Sequence, residues 1–413
     1  MPADDERLDV RRLLAAVEAA PPVGAVDALA AELATMVPSE AVSLLISDLS
    51  GDSLVRLSHV TTSGSMVAGR NEREESIPLA GSVYREVLLS QQTRVAPAEG
   101  GTWLVLAPVT ERGDAIGLLE LTLRTSPDPE TVDYLTSAAH ALAYVLIAAR
   151  RHSDLFERAQ RDVKFSLAAE IHRRLLPSSN TIEAGPLTVA GWLEPASQVA
   201  GDTFDYSLDR EYLYASITDA MGHGTEAAVL ATLVMASFRN SRRSIATPAE
   251  QANEANQMLL QEARPDQFVT GQLLTIRLTD GLLKFVNAGH PAPYLMRDGI
   301  QVDLTMPYNV PFGIMPADYD TLEVHLRPGD RLLLVTDGFL ERKAAGVDIG
   351  HILAGSVDRH PREVVRELAD QVMRATGGNL KDDATVVCID WYGADAVRRG
   401  VAGASQARAT PTG

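Results

Sequence analysis

The chain has 413 residues, 46% of them hydrophobic, with 37 Lys and Arg against 55 Asp and Glu and a formal net charge of −18. That exceeds the ~100–200 residues of one domain and supplies enough apolar material for full cores, so a two-domain protein is expected. The acidic balance repels nucleic acid and anionic lipid, the single cysteine excludes a disulfide framework, and no apolar stretch is read as approaching the ~20 residues of a membrane span or a signal-peptide core, so a cytoplasmic protein with no nucleic-acid or membrane partner is expected.

Residues 1–25 are an N-terminal segment whose start, Met1 to Arg7, is mostly charged and carries no folding signal. Over residues 26–149 the pattern is α+β. A helical stretch, Val26 to Met36, leads into strand Ala41 to Ile46, the turn Leu49-Ser50-Gly51-Asp52 and strand Ser53 to His59, a hairpin arrangement. Trp103 to Val109 and Ala115 to Leu123 flank Glu111-Arg112-Gly113-Asp114 as a second hairpin. Between the two, Ile77-Pro78-Leu79-Ala80-Gly81-Ser82-Val83 starts a helix. With Ile116-Gly117-Leu118-Leu119 in the last strand, this layout resembles a GAF-type sensor domain over Val26 to Ala149. The resemblance rests on shape and hydrophobic pattern and assigns no ligand. A domain that only dimerises is the alternative, because fold does not fix function.

From Glu130 to Leu176 there is neither Gly nor Pro. Leu135, Leu142, Ala149, Phe156 and Val163 recur at heptad spacing, and Ala138, Val145 and Ala159 add a partial second row, interrupted by His152 and Ser166. An unbroken helix of that length would be a rod of about 65–70 Å. The seam predicts a parallel homodimer through the linker helix, residues 150–177. The competing reading is a helix packed on its own domain, with a break at Arg150-Arg151-His152. Pro177 is expected to end the helix.

In residues 178–392 four acidic segments set an aspartate at or near one end of an apolar run: Val199-Ala200-Gly201-Asp202, Ile217-Thr218-Asp219-Ala220-Met221-Gly222, Val335-Thr336-Asp337-Gly338 and Lys381-Asp382-Asp383-Ala384-Thr385. Strands are predicted over Leu187 to Ala190, Tyr212 to Ile217, Leu332 to Val335 and Ala384 to Ile389. Any one Thr-Asp-Gly is usually a turn, with Asp bonding its own backbone. As a set, converging carboxylates repel one another unless a cation sits between them. All-oxygen donors select hard ions such as Mg²⁺ or Mn²⁺. The expected chemistry is a two-metal carboxylate cage in a metal-dependent hydrolase.

The order Gly201-Asp202, Asp219-Ala220-Met221-Gly222-His223-Gly224, Asn287-Ala288-Gly289-His290-Pro291, Pro328-Gly329-Asp330 through Thr336-Asp337-Gly338, and Asp382-Asp383-Ala384-Thr385-Val386 resembles the PPM-type (type 2C) protein serine/threonine phosphatases, specifically their bacterial SpoIIE-like or RsbU-like branch. The resemblance covers about Ala168 to Trp391. It implies an α-β-β-α sandwich phosphatase domain and two Mn²⁺ or Mg²⁺ ions. Asp219 would be the bridging carboxylate with the backbone carbonyl of Ala220 as a further ligand, Asp337 and Asp382 would hold the other metal, and Asp202 would lie in or next to the coordination shell. Asp219 and Asp337 would act through a metal-activated water, and the role of Asp383 stays open. The resemblance also implies a phosphorylated anti-anti-sigma (STAS-type) protein as substrate, and in Leu167 to Pro177 it matches the segment that couples regulatory domains to the metal site. Position 220 departs from the Gly of many relatives, which a carbonyl ligand tolerates. Arg342 to Val357 matches the usual Phe-Gly stretch poorly and leaves the flap and substrate choice open.

His223, before the helical run Glu226 to Asn240, and His290, at a turn after strand Leu282 to Val286, are read first as structural residues. Cys388, inside an apolar strand, is read as core rather than nucleophile. Helices over Pro248 to Arg264 and Pro361 to Ala375 are expected to cover the sheets from outside. Gly393 to Gly413 is a Gly/Ala/Arg-rich tail expected to be disordered. The alternative to an active enzyme is a phosphatase-shaped scaffold that signals by partner contact; the intact acids at 202, 219, 337 and 382 speak against it, since burying unused charge is costly.

Overall fold

The computed structural model describes residues 10–48, 51–61, 76–151, 154–160, 167–195, 201–244, 246–340, 347–378 and 380–396. The chain divides into two compact units between Lys164 and Phe165.

The first unit begins with helices α1 (Val10–Ala19) and α2 (Ala25–Met36), followed by strands β1 (Ser39–Ser47), β2 (Ser53–Thr61) and β3 (Ser76–Pro78). Helix α3 (Val83–Ser90) precedes β4 (Arg94–Pro97), β5 (Trp103–Glu111) and β6 (Asp114–Leu123), and helices α4 (Pro129–Ala149) and α5 (Leu155–Ala159) close the unit. The strands form one antiparallel sheet in the order β3-β2-β1-β6-β5-β4. Alternation sorts its side chains: Val42, Leu44 and Ile46 of β1 join the core under the helices α1, α2 and α4, whereas Leu45 joins Leu54, Val87 and Leu118 under α3. Both expected hairpins form. Helix α1 lies in the N-terminal segment 1–25, beyond its charged start at Met1 to Arg7, and its Leu13 is fully buried.

The linker departs from expectation. Leu135, Ala138, Leu142, Val145, Ala149 and Phe156, six residues of the heptad seam, are buried in the core of the first unit. From Leu135 to Phe156 the seam is consumed inside the domain, so this stretch is not free to form the interface expected from its spacing; a seven-residue repeat and a one-sided helix on a sheet place apolar residues alike. The helix ends at Ala149, where the Arg150 amide bonds back to Leu146, and no continuous rod runs through the described residues of the linker. Val163, His152 and Ser166 lie outside the described residues. By length and mean hydropathy (1.4 over its most apolar window) α4 does reach the threshold for a membrane span, contrary to expectation, but half of that window is buried in the unit.

The second unit contains α6 (Leu167–Arg173), β7 (Thr181–Glu183), β8 (Leu187–Glu194), β9 (Asp202–Leu208), β10 (Tyr212–Ala220), α7 (Thr225–Ser241), α8 (Pro248–Glu262), β11 (Val269–Arg277) and β12 (Leu282–Ala288). It continues with β13 (Tyr294–Arg297), β14 (Ile300–Val302), β15 (Leu322–His325), β16 (Arg331–Val335), α9 (Ile349–Ala354), α10 (Pro361–Thr376) and β17 (Ala384–Trp391). Two sheets result, β15-β12-β11-β10-β9 and β14-β13-β16-β17-β8-β7.

Their apolar runs explain the layers. In β16, Leu332 and Leu334 face the inter-sheet core with Ile217, Phe285 and Ile389. Leu333 and Val335 face the opposite way, beneath α9 and α10, together with Val364, Leu368 and Cys388. A strand buried on both faces reads as an unbroken apolar segment rather than an alternating one. On the other sheet, Leu273 and Val286 pack under α7 and α8 against Leu230, Val234 and Leu259. The unit is therefore a helix-sheet-sheet-helix sandwich. Helix α8 starts on Pro248 with a reciprocal capping box between Thr247 and Glu250, which satisfies two amides that the helix itself leaves open.

Candidate active site

Asp202 opens β9 and Asp219 is the penultimate residue of β10, and the antiparallel register sets the two directly opposite each other. Like charges across a ladder repel, so this pairing is not a folding device. The Asp202 side chain is 2% exposed, and its Oδ2 accepts the hydroxyls of Thr336 at 2.7 Å and Thr385 at 2.6 Å. Those threonines belong to the other sheet: Thr336 follows β16 and Thr385 lies in β17. They are bonded to each other as well, since the Thr336 amide donates to the Thr385 carbonyl at 3.0 Å and the Thr385 amide to Thr336 Oγ1 at 2.9 Å. One carboxylate oxygen thus ties the sheets together at their acidic end.

Asp337 begins the short turn Asp337–Phe339. A Cβ on Gly338 would stand 2.0 Å from the Asp383 carbonyl oxygen, so only glycine lets the two acidic segments approach this closely. Asp383 is 6% exposed, and its Oδ2 accepts the Gly201 amide at 2.6 Å, while Asp382 accepts the Asp383 amide at 2.9 Å. Asp383 is therefore a strap between β17 and the start of β9. Gly201 is equally confined: a Cβ there would meet the Ala220 carbonyl oxygen at 2.6 Å.

The field reflects this crowding. Burial, reinforced by the neighbouring carboxylates of Asp337, Asp382 and Asp383, pushes Asp219 up to about 7. Asp202 is driven well above the ordinary carboxylate range by burial first and by Asp219 next, against the opposing pull of the Thr385 and Thr336 hydroxyls. Asp202, Asp219, Asp337, Asp382 and Asp383 are thus one electrostatic cluster. Among the described residues, however, no three such side chains close on a common point as a finished ligand set. The structure gathers the acids without closing them. An all-oxygen cluster in which burial and neighbouring carboxylates hold Asp202 and Asp219 above the ordinary carboxylate range fits a hard divalent ion, whose charge would favour their ionised forms.

Residues 209–392 match the family described as Stage II sporulation protein E (SpoIIE). They form a SpoIIE-type PPM phosphatase domain. The chain is 23% identical over 247 residues to the phosphoserine phosphatase RsbU of Bacillus subtilis (strain 168), covering 56% of this chain and 71% of that one. It is 26% identical over 197 residues to the stage II sporulation protein E of the same organism, covering 46% of this chain and 24% of that one. Among solved structures, the SiaA PP2C domain of Pseudomonas aeruginosa aligns with a TM-score of 0.46 at 21% identity, covering 54% of this chain and 94% of that one.

Within the SpoIIE-type domain Asp219, Asp337 and Asp382 fall inside the matched residues and Asp202 just ahead of them. Ala220 ends β10 and is buried. His223 is exposed in the turn before α7. His290 is buried, its backbone is held at both ends by the Asn287 amide group, and its Nδ1 pairs with Thr270 Oγ1 at 2.8 Å. Burial drives its pKa down to about 3, which favours the neutral imidazole over the imidazolium that a general acid would need. Cys388 is buried among the residues beneath α10. Part of the segment with the poor family match, residues 342–346, lies outside the described residues, and α9 follows it.

Thr336 and Thr385, which hold Asp202, were not among the expected site residues, and the role left open for Asp383 includes that of a strap. Their signal was present, because both threonines sit inside the quoted Thr-Asp-Gly and Asp-Asp-x-Thr segments. Spacing cannot reveal that hydroxyls 49 residues apart meet one carboxylate.

Proposed function

We propose that the protein is a Mg²⁺- or Mn²⁺-dependent protein serine/threonine phosphatase in which Asp202, Asp219, the Ala220 carbonyl, Asp337 and Asp382 hold two ions. Its substrate on this reading is a phosphorylated anti-anti-sigma (STAS-type) regulator, and its N-terminal unit, a GAF-like sensor, controls it in the cytoplasm. The supporting observation is the meeting of acids from both sheets at one end of a SpoIIE-type sandwich, with Asp202 and Asp219 opposed across the β9–β10 ladder.

Bound ions of this class lower the pKa of coordinated water and neutralise phosphoryl oxygens. The chain's own residues orient and confine. Thr336 and Thr385 hold one oxygen of Asp202 and leave the other free of them. The Gly201 amide takes one oxygen of Asp383 out of competition. No thiol reaches the cluster, as Cys388 is fully buried. Met221 and Leu340, each 44% exposed and close in sequence to Ala220 and Asp337, offer apolar contacts to the peptide around a phosphorylated residue, which favours a protein over a small substrate.

The test is hydrolysis of phosphorylated STAS proteins and of p-nitrophenyl phosphate by the full chain, with and without Mn²⁺. Turnover should require the ion and disappear in Asp219→Asn and Asp337→Asn, with circular dichroism unchanged. Equal turnover in the variants would overturn the assignment, and Mn²⁺ uptake without turnover on any phosphoprotein would point to the scaffold reading instead.

A further inference from the structure

Asp202 is held through its side chain by the facing sheet, and its backbone is held from a third direction. Strand β9 is the edge of its sheet. The Gly201 carbonyl accepts from Ala220 at 3.3 Å, so the next carbonyl, that of Asp202, points away from β10 toward the open edge. Among the described residues no strand covers it there. His172, at the C-terminal end of α6, does: its Nε2 lies 2.5 Å from the Asp202 carbonyl oxygen, and the ring is 6% exposed. Since a carbonyl only accepts, Nε2 carries the proton. Burial keeps the imidazole below its ordinary pKa, consistent with the neutral Nε2–H tautomer.

The turn after α6 is fastened to the same strand. The Leu175 carbonyl accepts Arg239 Nη2 at 2.5 Å, and the same guanidinium grips Asp205 of β9 through Nε at 3.0 Å and Nη2 at 3.1 Å. Arg242 reaches Asp205 at 2.7 Å. The Leu175 side chain is buried among Ala227, Leu230, Ala231 and Val234 of α7. Segment 172–175 therefore touches β9 directly at Asp202 and indirectly at Asp205.

We propose that His172 is a positioning residue for the acidic site, setting the Asp202 peptide, and with it the Asp202 carboxylate, in the place from which it faces Asp219. The inference rests on the metal-dependent reading above. A displaced α6 would release the Asp202 carbonyl at an edge with no alternative partner, and the carboxylate would lose its register against Asp219. His172 acts through the Asp202 backbone carbonyl, to which its Nε2 bonds.

The test uses Mn²⁺ alone as the probe, titrated calorimetrically into the full-length protein and into His172→Gln, which keeps a donor, and His172→Leu, which fills the space without one. The expected result is a Kd for Mn²⁺ raised about tenfold in His172→Leu and kept within about threefold of wild type in His172→Gln, the scale on which groups that orient metal ligands act. His172→Gln should melt with the wild type, and His172→Leu lower but still in one cooperative transition, because a buried carbonyl loses its donor. Should His172→Leu fail to melt cooperatively, His172→Asn, whose amide is one methylene shorter than that of Gln, takes its place under the same criterion. Equal Mn²⁺ affinity with and without the donor overturns the proposal and leaves the site reading intact. Absence of Mn²⁺ uptake by the wild type overturns the site reading and the proposal with it.

Discussion

Thr385 donates its hydroxyl to Asp202 across 183 positions of sequence, at 2.6 Å. Both residues are buried, and the bond joins the two sheets where the acids gather. Removing the donor leaves a buried carboxylate oxygen with one partner fewer, and hydrogen bonds to charged groups contribute about 1.5–3 kcal/mol. Thr385→Val should therefore lower the stability of the second unit by about that amount and weaken metal-dependent turnover, whereas Thr385→Ser should preserve both. Calorimetric melts decide it: a Val variant that melts with the wild type would show that the bond is incidental.

Asp219 titrates near 7 in the folded chain against an ordinary 3.8. Between those values the folded, metal-free protein retains a proton that the unfolded chain has released. The stabilisation is thus fully present below about pH 4 and lost as the pH rises through about 7, and the raised Asp202 acts with the same sign. Divalent ions require the ionised carboxylates, so Mn²⁺ binding should release protons and strengthen over the same window. Chelator-treated protein should melt lower at about pH 8 than at about pH 5, and Mn²⁺ should raise the melt more at the higher pH. A metal-free melting temperature that climbs with pH would refute the assignment of Asp219 as the raised group.

Gly338 abuts the Asp383 carbonyl with no room for a methyl group. Backbone cannot yield as a side-chain tip does, so Gly338→Ala should cost at least the about 1–3 kcal/mol of ordinary overpacking and displace Asp337 from Asp219. Urea unfolding reads the first effect and the Mn²⁺ dependence of turnover the second. An alanine variant with a wild-type midpoint would mean that the two acidic segments are not pressed together.

Leu142 is 1% exposed in the core of the first unit, while Tyr144 on the same helix is 48% exposed. Leu142→Ala should cost about 2–5 kcal/mol by leaving a cavity. It should not change the mass measured by light scattering. Loss of a dimer on this substitution, with melting unaltered, would place Leu142 in a coiled-coil seam instead of the domain core. Tyr144→Ala should be close to neutral in stability.

Much of the architecture was legible before any coordinates. The strands around Asp219 and Asp337 announce themselves as apolar runs that end in acids, and the hairpin at Arg112-Gly113 and the capping of α8 on Thr247-Pro248 are local events with local signals. The helix before the linker was less legible, for a physical reason. Heptad spacing places Leu135, Leu142 and Ala149 on one face of a helix but does not say whether a sheet or a second chain lies opposite, and here it is the domain's own sheet.

By itself the sequence determined which residues carry charge, which segments alternate or run apolar, and where acids punctuate strands, because those are properties of neighbours in the chain. Tertiary structure alone decided that Asp202 faces Asp219, that Thr336 and Thr385 converge on one carboxylate oxygen, that Asp383 is a strap, and that His172 covers an edge carbonyl. Each of these joins groups far apart in the chain through register and sheet stacking. Hydrogen-bond geometry is set by ångströms in space, and spacing along a polypeptide does not encode it until the sandwich has closed.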